Sequence, residues 1–407
     1  MAEPKLRFKK ADDSFYPPVK VKTVGEVFKF VAEKNKDKQV DNVITNSAEY
    51  GMIPQRDFFD KDIATKDNTD GYTIIQKGDF VYNPRKSQYA PYGPFNCYRL
   101  EDKGIVSPLY TCLRPITNEV IENYLEWYFA SSAWHRYIYS NGAQGGARHD
   151  RVGMTNDLMK NIPVIIPSLE EQNMISETLG AVTELISILT EEICLWEEKK
   201  KGVMQKIFSQ KVRFKNENGK DFPKWEEKKL SKVSQIYDGI HQTPNYVESG
   251  IPFVSVENIE SLYSTRKFIT KEAFDKQFKI KPTTGDIFMT RIGDVGRACL
   301  VTSDIDLAYY VSLALLKPIN IHSEYLVQYI YSSEFQIELW KRTLHTAYPK
   351  KINKEEIGYC AVKIPCLEEQ QKISDCLSSI DEVIAIKKQK LETWKNIKKG
   401  LLQQLFV

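Results

Sequence analysis

Little in this 407-residue chain invites a catalytic reading. Its seven cysteines, at 97, 112, 194, 299, 360, 366 and 376, include no Cys-x-x-Cys pair, and the five histidines do not gather near them. That spacing speaks against a zinc site and against a disulfide framework, so no metal is expected. No apolar run approaches the roughly 18–20 residues that span a bilayer. The start, MAEPKLRFKK, is basic but lacks the apolar stretch of a secretory signal. A cytoplasmic protein without a membrane partner is the expectation. No G-x-x-x-x-G-K-[ST] phosphate loop occurs, and no Gly-rich loop follows a strand to hold a methyl-donor cofactor. NPRK at Asn83 lacks the second proline and the aromatic of an Asn-Pro-Pro-Tyr box, and His149–Asp150 reads as an ordinary polar neighbour pair. The chain is expected to hold no active site and no cofactor of its own. A net charge of only +3 permits local basic surfaces without demanding a polyanionic partner.

What the chain does have is a repeat. Laid over Ile364–Val407 without a gap, Ile166–Ser209 matches at 18 of 44 positions, beginning with IPSLEEQ against IPCLEEQ. Upstream, KLRFKK at Lys5 echoes KVRFKN at Lys211. The unit is therefore about Lys5–Gln210, then Lys211–Val407. In each copy the second part steps 4, 3, 4, 3 through largely apolar positions: Ile175, Leu179, Val182, Ile186, Leu189, Ile193 and Trp196 in the first, Ile373, Leu377, Ile380, Ile384, Lys387, Leu391 and Trp394 in the second. Such spacing is a heptad seam and predicts two long helices packed on one another, most simply antiparallel with pseudo-two-fold symmetry. Pro167 and Pro365 stand ahead of the helices, and the paired glutamates fall in the first turn, where the macrodipole favours them. Lys200 and Lys398 share one seam position.

The fold class expected is α+β: two mixed α/β recognition domains separated by an antiparallel coiled coil. Boundaries fall at 1–165, 166–210, 211–363 and 364–407. YTIIQKGDFVYNPR at Tyr72 and KPTTGDIFMTRIGDVGRACLV at Lys281 alternate as half-buried strands do. EVIENYLEWYFAS at Glu119 and EYLVQYIYSSEFQIELW at Glu324 read as amphipathic helices. Apart from their outer edges the two blocks are unlike in sequence, which separates a shared scaffold from two variable readers. Donor-rich loops recur in both: Asn83–Gly93 and Asn141–Arg151, then Asp238–Tyr246 and Arg291–Arg297. Taken singly each is a turn. Together they suit double-stranded DNA, because Arg bridges guanine O6/N7, Asn or Gln pairs with adenine, and Gly admits the backbone to phosphates. The candidate contacts are Arg85, Lys86, Gln88, Gln144, Arg148, His241, Gln242, Thr243, Arg291 and Lys350. Candidate scaffold and partner residues are Glu170, Glu171, Gln172 and Trp196, with Glu368, Glu369, Gln370 and Trp394.

Two variable domains, each followed by an IPxLEEQ stretch and a long helix, resemble the specificity subunit of type I restriction–modification systems. KWEEKKLSKV at Lys224, DGIHQTP at Asp238 and GDIFMTRIGDVGRACLV at Gly285 strengthen the likeness. The first domain opens instead with FYPPVKVKTVGEVF, without a Trp-Glu lead-in like Trp225–Glu226. The resemblance implies that each domain recognises half of a split DNA target and that the helices act as a ruler. It also implies docking of two methyltransferase subunits carrying S-adenosylmethionine, and of motor-nuclease subunits using ATP and Mg. The alternative is a non-catalytic adaptor that binds partner proteins without reading DNA.

Overall fold

The fold is that of a computed structural model, which describes residues 4–58, 69–141 and 150–406. The chain divides into two compact units: Met1–Thr190 with Gln389–Val407, and Glu191–Lys388. Both heptad stretches are helical over 40 residues, Leu169–Phe208 and Leu367–Phe406. Each therefore contributes its first half to one unit and its last half to the other. In the second unit Glu192 pairs with Lys387 at 2.8 Å and Lys200 with Asp381 at 2.7 Å. Numbers rise along one helix as they fall along the other, so the pair is antiparallel. The first unit repeats this, burying Ile175 and Leu179 in one core with Leu405 and Phe406. Pro167 and Pro365 stand two residues before the helices, and Ser168 Oγ accepts from the Glu171 amide at 3.3 Å. No helix among the described residues is long and apolar enough to cross a membrane.

The blocks differ in sequence yet share connectivity. In the first, a four-stranded antiparallel sheet runs in the order Phe28–Phe30, Thr111–Pro115, Phe80–Tyr82, Phe95–Cys97. In the second the order is Ser234–Asp238, Leu313–Pro318, Ile287–Thr290, Ala298–Leu300. A separate antiparallel pair closes each block onto its helix, with Lys20 opposite Ile166 in one and Glu226 opposite Ile364 in the other. The apolar stretch at Glu324 is two helices rather than one, Ser323–Ile330 and Ser333–Arg342. The break falls at Ser332, whose hydroxyl accepts from the Phe335 amide at 3.2 Å and caps the second.

The IPxLEEQ stretches are where strand, block and helix are joined. Glu171 and Glu369, the second glutamate of each, are buried and take bidentate hydrogen bonds from Arg7 (3.2 and 2.6 Å) and Arg213 (3.1 and 2.6 Å). These arginines are the third letters of KLRFKK and KVRFKN, which accounts for that echo. Gln172 accepts from the Ile121 amide at 3.0 Å and donates to the Pro167 carbonyl at 2.9 Å; Gln370 does the same with His322 (2.9 Å) and Pro365 (2.8 Å). Trp225 Nε1 adds a third donor to Glu369 at 2.9 Å. In the first unit Val19 occupies the register position of Trp225, so the lead-in missing from that sequence is an apolar residue packed on the core. Beside each junction sits the far end of the other repeat's helix. Phe406 lies edge-on to Tyr128 at 5.8 Å, and Phe208 edge-on to Tyr329 at 5.3 Å.

A buried carboxylate is tolerated only with its cation. Removing the partner leaves an uncompensated charge, at a cost of about 3–5 kcal/mol. Arg213→Met should therefore lower the unfolding free energy by about 3–5 kcal/mol in urea titrations, and Arg213→Met with Glu369→Leu should recover much of that loss.

Candidate nucleic-acid interface

In each block the central strand runs out of the sheet into a candidate reading loop, which the chain secures by its main chain. In the first unit the Lys86 amide donates to the Asp150 carbonyl at 2.8 Å and the Val152 amide to the Pro84 carbonyl at 2.9 Å. In the second, the Gly293 amide donates to Lys350 at 2.8 Å and the Ile352 amide to Arg291 at 2.9 Å. Arg85 thus bridges Arg151 as Ile292 bridges Lys351. The clamp is the same; the side chains on it are not.

On the first clamp Arg85, Gln88 and Tyr89 are exposed, Lys86 is half-buried, and Arg85 Nε lies 3.7 Å from Asp150. A cleft of about 370 Å3 opens between this loop and Ser47, Glu49 and Arg151. Gly93 closes the loop with φ +85°, and a Cβ there would stand 2.1 Å from the Asn83 carbonyl oxygen. Only glycine fits that turn. Gln144, Arg148 and His149 lie outside the described residues.

On the second clamp Lys350 is exposed, as are His241, Gln242 and Thr243 on the neighbouring loop. That loop starts at Gly239, where a Cβ would meet the Tyr309 carbonyl oxygen at 2.5 Å. Arg291 is turned inward and only 8% exposed. Its guanidinium pairs with Asp238 and donates through Nε to the Ile352 carbonyl at 3.1 Å. One side chain so ties the ends of three loops: 238–246, 291–297 and 343–352. Pro84 stands at the same place in the first unit, where no such tie is possible.

Trp340, which sequence reasoning passed over, also lines the second loop system. Tyr139 and Trp340 end equivalent helices and are 64% and 65% exposed. Trp340 stacks near His345, ring centroids 4.9 Å apart, along a cleft that reaches Gly293 and Lys350. The matching YxxxYxxSS spacing at Tyr124 and Tyr325 was the available signal. Behind the first loop, His135 packs between Tyr92 and Trp134, both at 4.8 Å, and burial pushes its pKa down to about 4. The equivalent Gln336 holds the second loop, donating to the Gly296 carbonyl at 3.0 Å.

The scaffold candidates separate by exposure. Glu170 and Glu368 are exposed, Trp196 and Trp394 half-buried, and Glu171, Gln172, Glu369 and Gln370 buried in the junctions described above. Lys199 lies over the Trp196 ring at 4.3 Å. The two seam lysines are not alike. Lys200 meets Asp381, which also accepts from Gln328 at 2.9 Å. Lys398 lies over the Trp127 ring at 5.0 Å, and burial lowers its pKa. Among the described residues no cluster of His, Cys, Asp and Glu could hold a metal ion.

The sequence matches the family described as the type I restriction modification DNA specificity domain twice, over residues 17–194 and 223–395. It is 26% identical over 322 residues to the type I restriction enzyme MjaVIII specificity subunit of Methanocaldococcus jannaschii, covering 75% of this chain and 74% of that one. A second subunit of that organism, putatively of the MjaX enzyme, is 25% identical over 314 residues, 72% of this chain and 69% of the other. Among solved structures, the type I system S subunit from M. genitalium superposes with a TM-score of 0.59 at 14% identity, over 100% of this chain and 99% of that one. The HsdS subunit from Thermoanaerobacter tengcongensis gives 0.51 at 18%, over 96% and 97%.

His135 supplies a pH test of the loop support. Its folded pKa is depressed from 6.5 to about 4, so between those values the unfolded chain binds a proton that the folded chain refuses. Its contribution is intact above pH 6.5 and stability falls as pH drops through that window. Urea midpoints measured at about pH 7 and about pH 5 should show a smaller acid loss for His135→Gln than for the unaltered protein.

Proposed function

From its membership of the type I restriction modification DNA specificity family, to which both repeats of this chain belong, we propose that its two clamped loop systems each read one half of a split, asymmetric DNA target. The chain is a specificity component, not a catalyst. The observation that carries the reading is the clamp itself: the same pair of backbone hydrogen bonds at Lys86/Val152 and Gly293/Ile352 presents two different sets of side chains. Two unlike readers imply two unlike half-targets, and so a non-palindromic site. In this proposal the paired helices set the separation of the halves and dock two methyltransferase subunits that carry S-adenosylmethionine. Motor-nuclease subunits with ATP and Mg complete the enzyme.

Roles divide by exposure. Arg85, Gln88, His241, Gln242, Thr243 and Lys350 reach the DNA, whereas Arg291, paired with Asp238, sets the shape from which the second block reads. Tyr139 and Trp340 supply apolar contact at equivalent edges.

Exchanging residues 211–363 for the corresponding block of another specificity subunit should change one half of the recognised sequence and leave the other intact. Methylation-sensitive sequencing of DNA modified by the assembled complex reads this directly. A change in both halves would overturn the assignment of one half-target to each block, and preference for no split sequence would favour the adaptor reading. Lys350→Ala should weaken binding at every sequence about equally and reduce the salt slope by about one. Titrations at several salt concentrations measure it.

A further inference from the structure

Apolar packing does not tell the helix of the first repeat which helix to pair with. Phe208 and Phe406 fill equivalent places beside Tyr329 and Tyr128, and Ile207 and Leu405 are both buried. A second copy of either repeat would offer much the same apolar seam, interrupted in the second repeat at Lys387 where the first has Leu189. The charges are different. Three ion pairs cross the helices in the second unit: Glu192–Lys387 at 2.8 Å, Glu197–Lys388 at 2.7 Å and Lys200–Asp381 at 2.7 Å. Helix positions correspond at a constant offset of 198 residues. The equivalent pairs in the first unit are Lys390 with Leu189, Lys395 with Thr190 and Lys398 with Thr183. Among the described residues no ion pair joins 169–190 to 389–406.

We propose that these charges are a pairing code that directs the helix of the first repeat to that of the second and away from a second copy of either repeat. Self-paired, the second repeat would set Lys390 against Lys387 and Lys395 against Lys388, each twice, keeping only Lys398 with Asp381. Self-paired, the first would set Glu192 against Leu189, Glu197 against Thr190 and Lys200 against Thr183, with no ion pair at all. Turning two mixed pairs into one self-pair of each kind thus loses four ion pairs and creates four lysine–lysine contacts. Exposed contacts of this kind each shift an equilibrium by roughly a factor of two. Together they favour mixed pairing by about two hundredfold in the exchange, or about fifteenfold per complex. The code acts whatever the blocks bind, and it keeps two different readers on one scaffold.

The test starts from the full-length chain. A protease site placed in the exposed turn Ser209–Lys211, which leaves Arg213 on the same fragment as Glu369, lets the folded protein be nicked, so that both repeats begin assembled. Nicked protein with and without 15N label is mixed, denaturant is raised until labelled and unlabelled fragments have exchanged, and it is then removed. Native mass spectrometry counts the pairs. The expected result is a ratio of mixed pairs to each kind of self-pair at least tenfold above that of random pairing. Lys387→Glu with Lys388→Glu should invert the outcome, because the two new carboxylates would repel Glu192 and Glu197 yet attract Lys390 and Lys395. Self-pairs of the second repeat should then become abundant. A statistical mixture from the unaltered protein, or mixed pairs undiminished in the double variant, would overturn the proposal.

Discussion

The buried carboxylates of Glu171 and Glu369 govern how everything else is placed. Each sits in the first turn of a 40-residue helix, where it accepts an arginine fork from a segment far upstream. The neighbouring glutamine is bound to the block on one side and to the proline carbonyl on the other. A helix start fixed at so many points cannot rotate about its axis without breaking a buried charge pair. Rotation is the freedom that a heptad seam must lose if the same side chains are to face its partner along its whole length. The junction thus fixes the seam, and the seam brings the distant Phe208 or Phe406 to the tyrosines beside the other junction.

That arrangement makes the two repeats dependent on each other. The block of the first repeat is completed by residues 389–407, from the end of the second, and the second block by residues from Glu191 onward. Neither repeat carries the phenylalanine that finishes its own core. The physical reason is length: a helix long enough to leave its own block must bury its far end somewhere, and an equivalent surface on the other block satisfies the same side chains. Internal repetition here is a packing solution as well as a record of duplication.

Much of this was legible in the sequence, and the parts that were not share a cause. The helices showed because heptad spacing persists along their length, and the repeat showed because junction residues are held by buried polar contacts that few other side chains could make. Arg7 and Arg213 were visible only as a short echo. Their partners lie 164 and 156 residues away, and nothing local marks a long-range ion pair. The shared topology of the blocks was hidden for a different reason. Sheet order and the loop clamps rest on main-chain hydrogen bonds, which constrain side-chain identity weakly. Tyr82 and Met289, or Phe95 and Ala298, can occupy matching strands without resembling one another. Arg291 looked like a base reader because arginine in a Gly-rich loop often is one. Burial against Asp238 and the Ile352 carbonyl could be seen only once three loops were brought together.

The same cause explains how recognition can vary on a constant frame. If a reading loop were held by its side chains, each change of specificity would also disturb its geometry. Here the supports common to both units are carbonyls and amides, at Pro84, Lys86, Asp150 and Val152 in one and Arg291, Gly293, Lys350 and Ile352 in the other, and the inward-facing Arg291 side chain adds its tie only in the second. What lies behind the clamp is free to differ: His135 stacked on Tyr92 in the first, Gln336 bonded to Gly296 in the second. The frame tolerates this because each solution needs only to fill one gap behind a loop whose path is already set. Side chains facing outward then carry no structural duty. A surface built so can change what it reads without changing how it is held, whereas at the junction the buried carboxylate and glutamine are paired on every side and leave little room for change.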